Sequence, residues 1–228
     1  MPLLSIIVPV YNEANTIRQI LEKINAVNID KEIIVVDDGS SDGTHKVLNT
    51  ISYPNLKVIF HGTNRGKGAA FITGLAHATG EFVIAQDADL EYEPAEFAVL
   101  LDYALKNGAQ VVYGSRFLKG RRHATTFFHY SVNKFLTGLT NFLFASNLTD
   151  METCYKLVKT DILKSLKLAA ERFELEPEIT INLLKNGYKI NEIPISYKRR
   201  SYQQGKKISW QDGFSTLLFI IKMRFMFL

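Results

Sequence analysis

Cysteine is almost absent from this chain of 228 residues, since Cys154 is the only one. No disulfide can form within the chain, so a reducing, cytoplasmic setting is the natural expectation. Without a second cysteine at a motif spacing, Cys154 is predicted to be a small core side chain rather than a nucleophile. The five histidines show neither the H-x-x-x-H nor the H-E-x-x-H spacing, which argues against a zinc site.

Long apolar runs are also missing. No stretch of about 18 or more uncharged apolar residues is present, so no membrane-spanning helix is predicted. The nearest candidate is the segment 214–228, which Lys222 and Arg224 interrupt. The opening segment 1–8 has no basic region and no small-residue cleavage site, so it is predicted to form a strand rather than a signal peptide.

Two common nucleotide-binding motifs do not occur. The chain has no G-x-x-x-x-G-K-[ST] and no G-x-G-x-x-G, which excludes a Walker loop and a classical dinucleotide site. Lys67 still lies between two glycines at the start of a predicted helix, where an anion is favoured, and is a candidate phosphate contact. The net charge of +4 favours anionic partners, but no motif supports binding to nucleic acid.

What is present is an alternation of strand-like and helical patterns. Strands are predicted over residues 4–10, 32–36, 56–60, 81–85, 110–114 and 189–197, and helices over 15–27, 44–51, 68–79, 94–106, 127–146, 174–186 and 210–228. Asn12 or Asn15 is predicted to cap the first helix. Repeated strand–helix–strand units predict an α/β fold with a Rossmann-like, mostly parallel sheet flanked by helices.

Polar clusters follow four of the predicted strands at the points where the strands end. They are Tyr11-Asn12-Glu13, Asp37-Asp38-Gly39, Asp87-Ala88-Asp89 and Ser115-Arg116. Because parallel strands bring their carboxyl ends to one edge of the sheet, and ligands bind at that edge, these clusters predict a binding site.

The segment Asp87-Ala88-Asp89-Leu90-Glu91 is the candidate metal site. Carboxylate oxygens are the ligands that Mg²⁺ and Mn²⁺ prefer, and such ions keep open positions for substrate phosphates. We therefore expect Asp87, Asp89 and Glu91 to bind a divalent cation that neutralises a departing nucleoside diphosphate.

The acidic turn that begins at Asp37 and Asp38 has two interpretations. It is either a plain turn before a helix or a clamp in which a carboxylate binds the hydroxyls of a ribose or an N–H of a base. The aromatic segment 127–146 also leaves two alternatives open. Its apolar residues either pack in the core or lie on a membrane surface with basic residues facing the headgroups.

Five segments resemble those of glycosyltransferase family two, which has a GT-A-type fold. They are Ser5–Glu13, Glu32–Thr44, Asn64–Gly68, Asp87–Glu91 and Gly114–Phe117. Within the family the resemblance is to the dolichol-phosphate mannose synthase group and its bacterial polyprenyl-phosphate relatives. It covers residues 3–118 strongly and extends more weakly over 150–213. It implies one domain, 1–228, with a nucleotide-sugar-binding half, 1–118, and an acceptor-side, membrane-contacting half, 119–228, whose helices follow the sheet.

The resemblance also implies roles for individual residues. Contacts to the base and ribose are implied for Pro9, Tyr11, Glu13, Val36 and Asp38, and contacts to the ribose and diphosphate for Asp87 and Ala88. Asp89 and Glu91 are implied to be metal ligands. Arg116 is implied to contact a phosphate, and Arg200 to lie in the acceptor loop.

We expect a single displacement with inversion at the sugar carbon, in which Asp89 and Arg116 are catalytic. The acceptor is a polyprenyl phosphate, which needs no base, or a saccharide hydroxyl, which does. Asp150 is the first candidate base, and Glu152, Glu174 and Glu178 are the alternatives. The rivals are a nucleotidyltransferase, whose glycine- and lysine-rich loop is missing, and a nucleotide-sugar binding module without turnover. A peripheral position on the cytoplasmic membrane face is expected for a lipid acceptor, and the oligomeric state stays open.

Overall fold

The computed structural model describes residues 1–118, 127–199 and 210–225. The strands are β1 Leu4–Val10, β2 Lys31–Asp37, β3 Leu56–Phe60, β4 Phe82–Ala85, β5 Val111–Ser115, β6 Lys156–Lys159 and β7 Asn191–Pro194. The helices are α1 Ile17–Ala26, α2 Thr44–Leu48, α3 Lys67–His77, α4 Glu96–Asn107, α5 Phe127–Phe144, α6 Thr160–Ser165, α7 Leu175–Lys185 and α8 Trp210–Phe225.

The seven strands form one sheet in the order β3-β2-β1-β4-β6-β5-β7. All neighbours are parallel except at β6, which is antiparallel to both β4 and β5. The predicted α/β fold with a mostly parallel sheet is therefore confirmed. Since β6 and β7 belong to the same sheet as the first five strands, no break in the sheet falls at the boundary predicted at residue 118.

The strand β6 and the short helix α6 are the elements that the sequence patterns did not predict. Only four residues long, β6 begins and ends with lysine. Lys156 is buried all the same, because its ammonium group pairs with Glu176. Because the strand is short and one of its lysines is buried in an ion pair, its sequence shows no strand period.

The main core lies on both faces of the sheet. Helix α1 buries the stripe Ile17, Ile20, Leu21 and Ile24, as its periodicity predicts. Cys154 is buried in the same core, and burial raises the pKa of its thiol well above the usual value. The prediction that Cys154 is a core residue is confirmed.

The predicted cap of α1 is wrong. The N-cap residue is Thr16, and its side chain makes no capping hydrogen bond. Asn12 has a positive φ of 53°, and its Oδ1 accepts a hydrogen bond from the Ser41 N–H at 2.8 Å. Asn12 therefore fixes the turn after β2 instead of the start of the helix.

A second, smaller apolar cluster joins α5, α7 and α8. It contains Leu136, Ile181 and Ile220, together with Met151 and Met223. The helices of the second half thus pack on one another beside the sheet. None of the helices in the described part of the chain is long and apolar enough to cross a membrane.

Candidate active site

The carboxyl ends of β1, β2, β4 and β5 lie along one edge of the sheet. Strand β1 is parallel to β2 and β4. Strand β5 runs the same way because β6 is antiparallel to both β4 and β5. The four polar clusters that follow these strands therefore share an edge, as the sequence predicted. This is where open α/β sheets bind their ligands.

Four charged side chains of alternating sign run from this edge into the interior: Asp87, Lys67, Glu176 and Lys156. Lys67 Nζ lies 2.7 Å from Asp87 Oδ1 and 3.3 Å from Glu176 Oε1. Glu176 Oε2 lies 2.8 Å from Lys156 Nζ. Because Lys67 begins α3 and Glu176 lies in α7, these charges link this edge of the sheet to the second half of the chain.

The pairing shifts the pKa values of two of these groups. Burial alone would lower the pKa of Lys67, but the carboxylates of Asp87 and Glu176 hold it well above its usual value. Burial would raise the pKa of Glu176, but Lys156 and Lys67 hold it below its usual range. Lys67 and Glu176 are therefore both charged at neutral pH. Lys67, which the sequence indicates as a phosphate contact, pairs with Asp87 in this structure.

The predicted metal-binding segment forms a turn after β4. Asp89 Oδ1 accepts a hydrogen bond from the Glu91 backbone N–H at 3.0 Å. Leu90, between them, has a positive φ of 63°, which non-glycine residues rarely adopt. Ala88 is buried beneath the turn. The side chains of Asp89 and Glu91 are thus held at the sheet edge by a strained but hydrogen-bonded backbone.

Tyr197 connects this turn to Arg116, and the sequence did not single it out. Its hydroxyl donates a hydrogen bond to Glu91 Oε2, and the Lys198 N–H donates to the Glu91 carbonyl at 2.8 Å. The Arg116 guanidinium carbon lies 5.2 Å from the centre of the Tyr197 ring, within the range of a cation–π contact. Only its place just beyond β7 could have indicated Tyr197 from the sequence.

Arg116 is fixed by Asp150. Arg116 Nε donates to Asp150 Oδ2 at 2.8 Å and Nη2 donates to Oδ1 at 2.7 Å. The Arg116 backbone N–H also donates to Oδ2 at 2.9 Å. Burial would lower the pKa of Arg116, but Asp150 holds it well above its usual value. The guanidinium is therefore a permanent, oriented cation at the end of β5.

Asp150 is itself held from the other side. Its backbone N–H donates to Glu192 Oε1 at 3.1 Å, and the Thr149 N–H donates to Glu192 Oε2 at 2.8 Å. The Asp150 side chain is 0% exposed. A buried carboxylate that accepts two bonds from a guanidinium is built to position Arg116. The geometry favours this role over that of a base, which stays a prediction.

Asp38, which directly follows β2, is buried rather than exposed to solvent. Its carboxylate accepts hydrogen bonds from the N–H groups of Arg65 and Gly66, the shortest at 2.7 Å. His61 Nδ1 lies 2.7 Å from Asp38 Oδ1. Asp38 thus anchors the segment that leads to Lys67. Its predicted contact with a nucleotide stays a prediction.

The other predicted nucleotide contacts lie at the ends of β1 and β2. Pro9 and Val36 are register partners on these strands, and Val36 is fully buried. Tyr11 is exposed just beyond β1. The Glu13 N–H donates to Thr44 Oγ1 at 2.9 Å, which fixes the turn before α1. Arg200 lies outside the described residues.

The carboxylates predicted to bind a divalent cation follow β4 at this edge of the sheet. Among residues 1–118, 127–199 and 210–225, no three carboxylate, histidine or thiolate side chains lie close enough to hold a metal by themselves. Asp87 pairs with Lys67, and Glu91 accepts a hydrogen bond from the Tyr197 hydroxyl. Binding of a cation by Asp87, Asp89 and Glu91 stays a prediction. Asp89 fits a cation of the Mg²⁺ type, which is commonly held by one or two carboxylates together with substrate phosphates.

The fold and the family match together identify a glycosyltransferase of the GT-A type. The sequence pattern of glycosyl transferase family 2 matches residues 5–167, and the chain belongs to this family. Solved structures share the fold. Glucosyl-3-phosphoglycerate synthase from Mycobacterium tuberculosis has a TM-score of 0.74 at 19% identity, covering 98% of this chain and 80% of that chain. The same protein in complex with Mn²⁺, UDP and phosphoglyceric acid has a TM-score of 0.73 at 20% identity, covering 98% and 78%.

Curated relatives are more similar in sequence. Dolichol-phosphate mannosyltransferase of Pyrococcus furiosus is 29% identical over 89% of this chain, which spans only 58% of that relative's length. UDP-N-acetylglucosamine–dolichyl-phosphate N-acetylglucosaminyltransferase of Methanococcus voltae is 29% identical over 97% of this chain and 96% of its own. Polyprenol monophosphomannose synthase of Mycolicibacterium smegmatis is 27% identical, with shares of 86% and 77%.

Proposed function

We propose that this chain transfers a sugar from a GDP- or UDP-sugar to a polyprenyl or dolichyl phosphate, with inversion at the sugar carbon and with Mg²⁺ or Mn²⁺. The observation that carries the proposal is the continuous contact from the acidic turn to the fixed arginine, through Glu91, Tyr197 and Arg116. This contact links the acidic turn that carries Asp89 to Arg116. It supports a site in which a cation on Asp89 and a phosphate on Arg116 would be neighbours, as transfer from one phosphate to another requires.

Arg116 has the donors that a phosphate needs. A guanidinium has five N–H donors in a fixed plane, and Asp150 uses one on Nε and one on Nη2. The others can bind phosphate oxygens in an orientation that Asp150 has already set. Asp89 would hold the cation, and the cation would neutralise charge on the departing nucleoside diphosphate.

A phosphate acceptor is consistent with the binding of the Asp150 carboxylate to Arg116. A phosphate oxygen is already anionic, so its attack on the sugar carbon needs no general base. Asp150 is committed to Arg116. The names of the three curated relatives point the same way, because each includes dolichyl or polyprenol phosphate chemistry.

The surface of α5 and α8 supports contact with a membrane, where such an acceptor lies. Phe135 and Phe142 are seven residues apart on α5 and are 60% and 84% exposed. The exposed residues of α8 recur at helical spacing: Phe214, Leu218, Ile221 and Phe225. Lys222 and Arg224 are exposed on the same helix. Apolar stripes next to basic groups are typical of helices that lie on an anionic bilayer.

We accordingly place the chain on the cytoplasmic face of a membrane. Sedimentation with liposomes tests this placement. Phe142→Ser with Leu218→Ser should weaken binding to liposomes that contain anionic lipid, whereas Val99→Ser, an exposed apolar residue on α4, should not. Equal binding of all three proteins at low salt would contradict a membrane role for α5 and α8.

The reaction itself is tested with a panel of donors. Thermal shift with GDP- and UDP-sugars plus Mn²⁺ identifies the base, because a ligand of the folded state raises the apparent Tm. Transfer to farnesyl phosphate then tests the acceptor. Asp89→Ala should abolish transfer, while Asp102→Ala, on the exposed face of α4, should keep it. Full activity of Asp89→Ala would contradict the metal role of Asp89.

A further inference from the structure

The loop between α5 and β6 is unusually well fixed. At its start, Asp150 is bound by Arg116 and by Glu192. The Met151 N–H donates to Thr137 Oγ1 at 3.1 Å. At its end, Lys156 Nζ donates to the carbonyls of Met151 and Thr153. The backbone on both sides of residue 152 therefore has little freedom.

Glu152, within this loop, has one carboxyl oxygen without a hydrogen bond to the described residues. Its Oε1 atom is shielded from solvent, and no group in the described part of the chain makes a hydrogen bond to it. A buried polar atom without a partner is rare in a folded protein and calls for a ligand, a water or a catalytic role. A well-fixed loop that contacts Arg116 and leaves one carboxyl oxygen unsatisfied has the form of a preformed binding site.

Charged groups of both signs surround Glu152. Lys156 of β6 and Arg116 after β5 supply positive charge, while Glu176 of α7 and Asp150 of the same loop supply negative charge. Each of these cations is already paired with one of these carboxylates. Burial raises the pKa of Glu152 to about 7, with Glu176 and Asp150 adding to the effect and Lys156 and Arg116 opposing it. Below about pH 7, Glu152 is thus available as an uncharged carboxyl.

We propose that Glu152 contacts the acceptor phosphate and that, as an uncharged carboxyl, it donates a hydrogen bond to one of its oxygens. This inference rests on the proposed function, since it assigns Glu152 to the acceptor of that reaction. An ionised carboxylate at this place would repel a phosphate, whereas an acid hydroxyl binds it. In the reaction a phosphate oxygen forms the new bond to the sugar carbon, the bond from that carbon to the nucleoside diphosphate breaks, and Glu152 keeps its proton.

The test compares Glu152→Gln and Glu152→Ala with the wild type between pH 5.5 and 8.5. Glutamine has nearly the same shape, donates from its amide nitrogen and does not titrate. The exposed Glu22 gives a matched control, Glu22→Gln. Each protein is assayed with the preferred nucleotide-sugar and two acceptors, farnesyl phosphate and farnesol, which differ only in the phosphate.

We expect transfer by the wild type to farnesyl phosphate to fall above pH 7, approaching about tenfold per pH unit as Glu152 ionises. Glu152→Gln should stay active and lose this alkaline decline, while Glu152→Ala should lose about tenfold or more at pH 6. The acceptor phosphate gains charge in the same pH range, but this effect is common to all variants and cancels in the comparison. Glu22→Gln should follow the wild type.

Two results would overturn the inference. One is an inactive Glu152→Gln beside a wild type that glycosylates farnesol, since Glu152 would then be a base for a hydroxyl. The other is a Glu152→Gln with an unchanged pH profile, since Glu152 would then have no contact with the acceptor. Failure of the proposed function looks different, because the wild type itself would not transfer sugar to farnesyl phosphate.

Discussion

Arg116 and Asp150 form a two-point ion pair at the end of β5, with N–O distances of 2.8 and 2.7 Å. The Asp150 backbone N–H donates a hydrogen bond to the Glu192 carboxylate, which also holds Asp150 in place. Burial raises the pKa of Glu192, although the N–H groups of Thr149 and Asp150 oppose this shift. The arginine that would bind a phosphate is therefore oriented by the fold before any ligand arrives, and orientation of this kind lowers the cost of binding.

Removal of Asp150 should leave Arg116 as an unpaired, nearly buried charge. We expect Asp150→Ala to cost about 3–5 kcal/mol of unfolding free energy, because the desolvated guanidinium loses its partner. The double variant Arg116→Met with Asp150→Leu should recover most of this loss and still lack transfer. Urea denaturation measures the first effect. A stable Asp150→Ala with normal activity would contradict the positioning role of Asp150.

Glu176 should make stability depend on acid pH. Its pKa is lowered in the folded state, because Lys156 and Lys67 outweigh the effect of burial. Its contribution is therefore fully present above the unfolded value near 4.5 and is lost as the pH falls through the folded value. We expect Glu176→Gln to lower the Tm at pH 7 and the difference from the wild type to shrink toward pH 3. A difference that is constant with pH would show that packing, not charge, is responsible.

Tyr197 should matter through its hydroxyl and through its ring. Tyr197→Phe removes the hydrogen bond to Glu91 and keeps the ring beneath Arg116, so kcat/KM for the donor should fall about tenfold, as for loss of a bond to a charged group. Tyr197→Ala should lose about a further tenfold because the cation–π contact also goes. If both variants lower the Tm but leave kcat/KM unchanged, Tyr197 only stabilises the fold.

Asp89 should be the principal metal ligand of the acidic turn. We expect Asp89→Asn to weaken Mn²⁺ binding in the presence of the nucleoside diphosphate by at least about tenfold. Glu91→Gln should bind Mn²⁺ within about threefold of the wild type, because Glu91 is engaged with Tyr197. Electron paramagnetic resonance of free Mn²⁺ measures both. Equal losses in the two variants would show that Glu91 ligates the cation as strongly as Asp89 and would contradict this expectation.

Much of the fold could be predicted from the sequence, because local periodicity produces it. The run Leu4–Val10 and the stripe of α1 carry clear strand and helix periods, and both form as predicted. The turn signals after the strands also predicted that the four polar clusters share one edge of the sheet, as they do. Strand β6 was missed because its pairing with β4 and β5 depends on long-range contacts. A four-residue strand has no local signature of such contacts.

Parts of the site depend on the same long-range contacts. The sequence predicted a role for Arg116 but not what fixes its side chain. The partners of Arg116 lie far along the chain, since Asp150 is in the loop after α5 and Tyr197 follows β7. A pair such as Arg116 and Asp150 forms when the second half of the chain packs on the sheet, and no spacing in the sequence predicts it.

The stereochemistry of the product tests the central claim most directly. The wild-type protein is incubated with its preferred α-linked nucleotide-sugar, Mn²⁺ and farnesyl phosphate, and the anomeric configuration of the product is read by proton NMR. A β-linked glycosyl phosphate is the predicted result, because direct attack by the phosphate oxygen inverts the sugar carbon. An α-linked product, or sugar released to water with no farnesyl-phosphate conjugate, would contradict the account.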